Sequence, residues 1–460
     1  MFAARKKPLC SQLHTPVTGA NRPVVIVGLG ETGLSCARHL SQAGKAFVIT
    51  DNRDEPPALP RLKAMLPDAR LALGGFDVRL LDTACQLIVS PGVSLSEPFV
   101  AAARTRNIPV LGDTELFARL VEAPVAAVTG SNGKSTVTTM LQHVLQRAGR
   151  QVAAGGNLGR PALDLLNDEG VEFYVLELSS FQLERTHSLK PDVAVVLNLS
   201  PDHMDRYPDL AAYAAAKARI FAGAEHSVFN RDDAAVAAMV GEDMQATSFG
   251  SDAPAAGHYG LVSDGDATWL ARGDQRLMGV DELRVQGRHN WLNALAALAM
   301  AEALDISIGD ALAALREFPG LPHRVEWIAE AGGVTWINDS KGTNVGASTA
   351  AIRGMKDHLV LIAGGEGKGA DFEPLAHALR GKARGAVLIG RDAPRLERAL
   401  TGICPTHRAT DMADAVAKAD ALAQPGDTVL LSPACASLDM FRSYEERGDA
   451  FRDAVKEWLA

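Results

Sequence analysis

Short apolar runs alternate along this chain with segments whose apolar residues recur every three or four positions, and that alternation predicts an α/β protein. Val24–Val27 reads as a buried strand. It is followed by Gly28-Leu29-Gly30-Glu31-Thr32-Gly33, a helical pattern over Leu34–Ala43 and a second strand, Ala46–Thr50, ending at Asp51. Weaker strands follow at Leu87–Ser90 and Pro109–Leu111. This stretch is short for a full dinucleotide-binding fold, so half of one is expected. Phe173–Leu178 and Val193–Leu199 have the length and apolarity of parallel strands buried on both faces. Trp291–Leu304 reads as a strong helix, whereas 225–285 is rich in Asp, Gly and Ala and gives few signals. Leu315 to Pro322, with two prolines and a glycine near its end, reads as a linker. Beyond it, strands at Leu359–Ala363, Ala386–Ile389 and Thr428–Leu431 alternate with helical stretches.

The expected organisation is a disordered leader over 1–22 and three αβ domains at 23–113, 114–320 and 321–460. The first and third are Rossmann-like and the second P-loop ATPase-like. A length of 460 residues suits three domains, and 47% hydrophobic residues suit real cores. The net charge of −9 argues against a general nucleic-acid binder, so anionic substrates require local basic sites. The five cysteines are scattered, with no CxxC pair, which points away from zinc or a disulfide framework and toward a reducing cytosol. No apolar run approaches the ~18 residues of a membrane span.

The most informative segment is Val125 to Thr136. A short apolar run ends in Gly130-Ser131-Asn132-Gly133-Lys134-Ser135-Thr136, and a helical pattern follows from Val137 to Arg147. Strand, glycine turn and helix N-terminus make an anion cradle, with Lys134 as a point charge for phosphates and the Ser135 hydroxyl suited to Mg²⁺. The glycine usual at the start of such loops is Val128 here, so the loop is a shortened variant.

Glu177 ends a strand that should be buried, where an unpaired carboxylate is costly; Mg²⁺ beside the phosphate loop is its natural partner, with a lysine as the alternative. By the same rule His203, in Asn198-Leu199-Ser200-Pro201-Asp202-His203, sits at the strand mouth. In the helix after Pro208, Leu210, Tyr213, Ala214, Ile220 and Phe221 share one stripe, and Lys217 falls on it while Arg219 points elsewhere. A buried ammonium has a lowered pKa, and the neutral amine is able to pair with phosphate or to react with CO₂ and become a carbamate, a metal-binding carboxylate. Three further polar clusters stand out: Gly287-Arg288-His289-Asn290, with Asn290 a candidate helix cap; His323-Arg324; and Asn338 to Asn344. Together they favour a ligand site between domains.

With these motifs, Gly155-Gly156-Asn157-Leu158-Gly159 and Ser432 to Asp439 added, the chain from about residue 23 onward resembles the Mur ligase family. The string Asp339-Ser340-Lys341-Gly342-Thr343-Asn344 resembles its D-glutamate-adding members in particular. The resemblance implies a three-domain architecture and ATP-dependent formation of an amide between UDP-N-acetylmuramoyl-L-alanine and D-glutamate through an acyl phosphate. It places ATP on Gly130 to Thr136 with Asn290, Arg324 and Asp339. It places Mg²⁺ on Ser135, Glu177, His203 and a carbamylated Lys217. The UDP-sugar falls to Thr32, Asp51, Asn52, Arg53, Gly92 and Asn157, and D-glutamate to Thr343, Lys368, Ser437 and Tyr444. Lys134, Glu177, His203, Lys217 and Lys341 carry the chemistry. A cytoplasmic monomer with small-molecule partners is implied. The rival readings are a related ligase of the folylpolyglutamate type, a non-catalytic nucleotide-binding module, and a nicotinamide-dependent oxidoreductase using Gly28 to Asp51.

Overall fold

The computed structural model describes residues 22–285, 287–355 and 358–459. The expected leader, apart from Arg22, lies outside the described residues. Three separate sheets follow one another along the chain. The first has five parallel strands in the spatial order Arg70–Leu73, Phe47–Asp51, Val24–Val27, Gln86–Val89, Val110–Leu111. The expectation of half a dinucleotide-binding fold is therefore corrected. Arg70–Leu73 is mostly half-buried and Val110–Leu111 has two residues, so neither gives an apolar run that stands out. The third glycine of the fingerprint has a packing reason: a Cβ on Gly33 would lie 2.0 Å from the Gly28 carbonyl oxygen, so only glycine lets the helix Glu31–Gln42 approach the strand.

The middle sheet has nine strands. From one edge they run Gln275–Gly279, Ala267–Arg272, Tyr259–Asp264, Ala246–Phe249, His226–Asn230, Val193–Val196, Val125–Thr129, Phe173–Glu177 and Val152–Gly156. All pair in parallel except the two outermost pairs at the Gln275–Gly279 edge, which form an antiparallel extension. Five of the nine strands come from the signal-poor 225–285. They are short, and Tyr259–Asp264 is buried only in its first half, so no clean period marks them. The strand Val125–Thr129 is buried throughout and feeds both faces. Ala126 and Val128 pack on helices Lys134–Arg147 and Arg288–Ala303. Val125 and Ala127 face the opposite layer, whose core is continuous with Ile26, Leu29 and Leu34 of the first sheet's unit.

The third sheet runs Glu326–Ala331, Val334–Asn338, Thr428–Leu431, Leu359–Gly364, Ala383–Ile389, Thr406–Arg408, parallel but for the opening hairpin. The segment read as a linker starts inside helix Ile308–Glu317, and only Phe318 onward lies outside it. Among the described residues no helix is long and apolar enough to cross a membrane.

Candidate active site

Because Val125–Thr129 lies between Phe173–Glu177 and Val193–Val196 in a parallel register, the phosphate loop, Glu177 and the segment after Val196 emerge together at one sheet edge. Helix Lys134–Arg147 starts there, with Gly133 as its cap at φ +84. A side chain at 133 would meet both that backbone strain and the Asn293 Oδ1, 2.6 Å from a Cβ. The first-turn N–H groups of a helix have no acceptor within it, so those after Gly133 are suited to an anion. The N–H groups of Ser131 and Asn132 are already engaged, donating to the backbone oxygen (2.9 Å) and side-chain oxygen (2.8 Å) of Asn198. The loop is thus pre-shaped by the neighbouring strand's exit. The Lys134 ammonium bends back to donate to the carbonyls of Gly130 and Ser131, both at 3.0 Å.

Glu177 is buried, and one carboxylate oxygen accepts from Asn157 Nδ2 at 2.7 Å while Oε2 has no hydrogen-bond partner. Burial pushes its carboxyl up, but the Lys134 charge and neighbouring donors more than offset this and hold it below the ordinary carboxylate range. An ionised carboxylate with a buried, unpartnered oxygen fits a hard cation. Among the described residues no three or more His, Cys, Asp and Glu side chains gather into a ready-made metal site. A cation here would therefore share its coordination with a hydroxyl such as Ser135, with water and with phosphate oxygens, which is the habit of Mg²⁺.

Lys217 is buried on the stripe of helix Leu210–Ala218, together with Tyr213, Ile220 and Phe221. Leu210, expected on the same stripe, is 37% exposed in the first turn. The Lys217 amine donates to Gly130 O at 2.8 Å and lies 4.6 Å from the centre of the Tyr213 ring. Burial and then the Lys134 charge push its pKa well below the usual lysine value. His203 sits in the loop beyond the strand end at φ +57, its ring edge-on to Phe181 at 4.8 Å. Burial lowers its pKa, and the charges of Asp202, Lys368 and Lys134 all reach it.

A cavity of about 320 Å³ opens beside the phosphate loop. Asn132, Gly133 and Thr136 form one wall, His289, Asn290 and Asn293 another, and Arg324, Asp339 and Lys341 close it from the third domain. Asn290 is not the helix cap: the helix begins at Arg288 after Gly287, leaving Asn290 in the first turn, where it accepts from Asn293 Nδ2 at 3.2 Å. Asn293 went unnoticed in the sequence, although its position one turn after Asn290 was the available signal. Arg324 Nη2 donates to Ser135 Oγ at 2.7 Å, and Asn344 Nδ2 to Asn132 Oδ1 (3.2 Å) and Asp202 Oδ2 (3.3 Å), so the third domain is seated on the loop. The Lys341 ammonium lies 3.6 Å from the centre of the Tyr444 ring and is lowered to about 8, chiefly by burial and next by Arg324.

Asp339 is buried on the cavity wall, accepts from Ser432 Oγ at 2.7 Å, and is pushed up to about 7 by burial. Between pH 4 and pH 7 the folded form keeps a proton that the unfolded chain has lost, so this group subtracts stability as pH rises, by about 4 kcal/mol in all. Asp339→Asn is expected to gain melting temperature over the unaltered ligand-free protein at pH 8, and much less at pH 4.5. A difference that does not change with pH would contradict this.

The first domain holds Thr32, Asp51, Asn52, Arg53 and Gly92 at the carboxyl edge of its own sheet. Asp51 is buried and occupied: it accepts from Leu29 N (2.7 Å), from Arg53 N (3.0 Å) and from the Arg53 guanidinium (2.8 Å twice). Asn157 lies apart from these, in the middle domain beside Glu177. Glu31 pairs with Arg61. In the third domain, the exposed Lys368 (φ +49) and the buried Ser437 lie on turns joined by a two-way backbone pairing of Glu366 with Ala436, 2.9 Å each way. Thr343 N donates to Lys341 O at 2.8 Å, in the turn that follows Lys341.

A phosphate loop, a buried carboxylate and basic side chains brought by a third domain over one cavity define a multidomain protein built to hold a polyanion such as a nucleoside triphosphate between its domains. Three family models match successive parts of the chain: the Mur ligase MurD-like N-terminal domain over 22–112, the Mur ligase middle domain over 128–301, and the Mur ligase glutamate ligase domain over 323–435. The UDP-N-acetylmuramoylalanine–D-glutamate ligase of Nitrosococcus oceani is 56% identical over 95% of this chain and 97% of its own. The ligase of the same name from Methylococcus capsulatus is 48% identical over 98% of both. Among solved structures, the UDP-N-acetylmuramate–alanine ligase MurC of Thermotoga maritima shares the fold, with a TM-score of 0.62 at 19% identity over 95% of this chain and 99% of that one. The chain belongs to the Mur ligase family.

Proposed function

We propose that this enzyme joins D-glutamate to the alanyl carboxylate of UDP-N-acetylmuramoyl-L-alanine at the expense of ATP, in the synthesis of peptidoglycan precursors. The observation that carries the reading is the cavity in which the phosphate loop meets Arg324, Asp339 and Lys341, in a chain 56% identical to a relative of that name. In this reading Gly130 to Thr136 hold the triphosphate, and the cavity walls around Asn290 and Asn293 hold the nucleoside. The alanyl carboxylate oxygen attacks the γ-phosphorus and ADP leaves. The D-glutamate amine then attacks the acyl carbon, phosphate leaves, and the amine nitrogen gives up a proton. Lys134 neutralises charge on the transferring group, and Lys341 faces the acyl phosphate. Closure by Arg324 and Asn344 keeps water from that intermediate. Ser135, Glu177, His203 and a carbamylated Lys217 would hold Mg²⁺, which when bound screens the negative charge where the anionic reactants meet. Lys368, Ser437, Thr343 and Tyr444 surround the glutamate. Thr32, Asp51, Asn52, Arg53 and Gly92 take the uridine nucleotide, with Asn157 reaching the sugar from the middle domain. Domain limits at 23–113, 114–320 and 321–460 fit this division of labour, and a cytoplasmic monomer fits the substrates.

Arg53, paired with Asp51, weighs against NAD, which would use that acid on a ribose hydroxyl and has little use for the adjacent arginine. The test is phosphate release with each substrate omitted in turn, and calorimetry with NAD and NADP as controls. Release that requires ATP, UDP-N-acetylmuramoyl-L-alanine and D-glutamate together is the expected result. Turnover with a glutamate-extended folate, or binding of a nicotinamide nucleotide in place of the UDP-sugar, would overturn it.

A further inference from the structure

The turn Ser90 to Val93, which carries Gly92, is held by side chains that belong to the middle domain. Arg185 Nη1 donates to Ser90 O at 3.1 Å and its Nη2 donates to Val93 O. Arg206 Nη1 donates to Gly92 O at 3.3 Å. Arg185 is 1% exposed, among the largest side chains buried in the whole protein. Its own carbonyl accepts from Gly112 N at 3.4 Å, and its Cβ would lie 3.2 Å from a Cβ at that glycine. One residue therefore grips the first domain at two places, the turn at its ligand edge and the exit of its last strand. On the ligand side the turn is tied onward, since Ser90 Oγ donates to Gly28 O at 3.0 Å in the glycine-rich loop. On the other side Arg206 lies 4.4 Å from the centre of the Phe181 ring, which packs on His203. The grip thus runs without a gap from the first domain's ligand loops to the edge of the phosphate site.

Burying a guanidinium on two carbonyls is an expensive way to join domains if joining is all it does. A Leu or Met would fill the space, whereas the planar fork sets both the distance and the angle of the turn it holds. Countercharge comes first from the adjacent Glu184 and then from Asp113, a buried carboxylate at the start of helix Asp113–Leu120.

We propose that Arg185 is a positioning residue that fixes the Ser90–Val93 turn so that the UDP-sugar's carboxylate is presented to the phosphate loop. This rests on the reading of that turn as part of the UDP-sugar site. A displacement of about 1 Å in a reacting group costs on the order of 10²-fold in rate, so a rigid link between two separately built sites is worth its desolvation.

The test is steady-state kinetics of Arg185→Met and Arg185→Lys, each of the three substrates varied in turn, with melting temperatures alongside. Arg185→Met is expected to lower kcat/KM for UDP-N-acetylmuramoyl-L-alanine at least tenfold while the KM values for ATP and D-glutamate stay within twofold. Arg185→Lys, which keeps the charge and one donor direction, should fall between. If Arg185→Met does not fold because Asp113 is left alone, the double variant Arg185→Met with Asp113→Asn replaces it. An unchanged kcat/KM for the UDP-sugar, or an equal rise in all three KM values, in a folded variant overturns the proposal. Calorimetry of the unaltered enzyme with UDP-N-acetylmuramoyl-L-alanine separates this from failure of the parent reading: no binding there sinks the site itself, while binding there with kcat/KM unchanged in Arg185→Met sinks only the role of Arg185.

Discussion

Lys134→Ala loses about 10²- to 10³-fold in ligation rate while the protein stays folded. The expectation follows from where the lysine starts. It is the first residue of a helix whose cap, Gly133, has the positive φ that turns the chain toward the ligand. Its half-buried ammonium donates to the carbonyls of Gly130 and Ser131, and desolvation lowers its pKa even with Glu177 and Asp202 near. A cation so desolvated is attracted strongly to an incoming triphosphate and needs little rearrangement to meet it. The alanine variant removes that charge but leaves the loop's other ties, from Ser131 and Asn132 to Asn198 and Ser200, in place. Its melting temperature should therefore stay near that of the unaltered enzyme. Comparing kcat at saturating ATP separates lost transition-state stabilisation from lost binding. Near-normal kcat would remove the phosphate loop from the mechanism.

The parts of this fold that announced themselves are those buried on both faces. Val24–Val27, Phe173–Glu177 and Val193–Val196 are continuous apolar runs because helices cover the sheet above and below. The strands of 225–285 hid because they lie toward an edge and their outer ends meet water, so polar and glycine residues break any period. The phosphate loop was legible as local chemistry, since the strand, turn and helix that build it are contiguous. What local chemistry does not reveal is what the rest of the chain brings to it. That Ser135 would receive Arg324 from 189 positions away, or Asn132 would receive Asn344, depends on how two domains dock. Asp51 shows the same limit. Its place after the second strand read as a ligand contact, and its ties to Leu29 and Arg53 appear only when the strand and the glycine loop are side by side.

Lys217→Ala is expected to be nearly inactive, and partly rescued by a short-chain carboxylate such as acetate. The helix Leu210–Ala218 aims this lysine inward between Tyr213 and Phe221. Its amine is 2.8 Å from Gly130 O, directly under the phosphate loop. A permanent ammonium there would be desolvated and set against Lys134, and both effects press the pKa down. The neutral form dominates sooner than for a surface lysine, and its nitrogen lone pair is free to attack CO₂, forming the N–C bond of a carbamate and releasing one proton. The product carries a carboxylate where the ammonium stood. That reverses the local balance: the carbamate and Glu177 become two anions beside one loop, a stronger draw for Mg²⁺ than Glu177 alone. Losing such a group outright should cost more than the 10- to 100-fold typical of residues that merely support a metal ligand, so about 10²-fold or beyond. The pH sign follows from the same chemistry. Carbamate formation needs the unprotonated amine, so enzyme stripped of CO₂ should regain activity faster as pH rises when dissolved CO₂ is held constant, until the amine is fully unprotonated, and the low pKa of Lys217 brings that limit to lower pH than for a surface lysine. Mass spectrometry after trapping of the carbamate should show one added CO₂ on the peptide containing Lys217, and none in Lys217→Arg. Full activity in CO₂-free buffer, with Lys217→Ala indifferent to acetate, would leave the lysine as a plain buried amine bonded to Gly130.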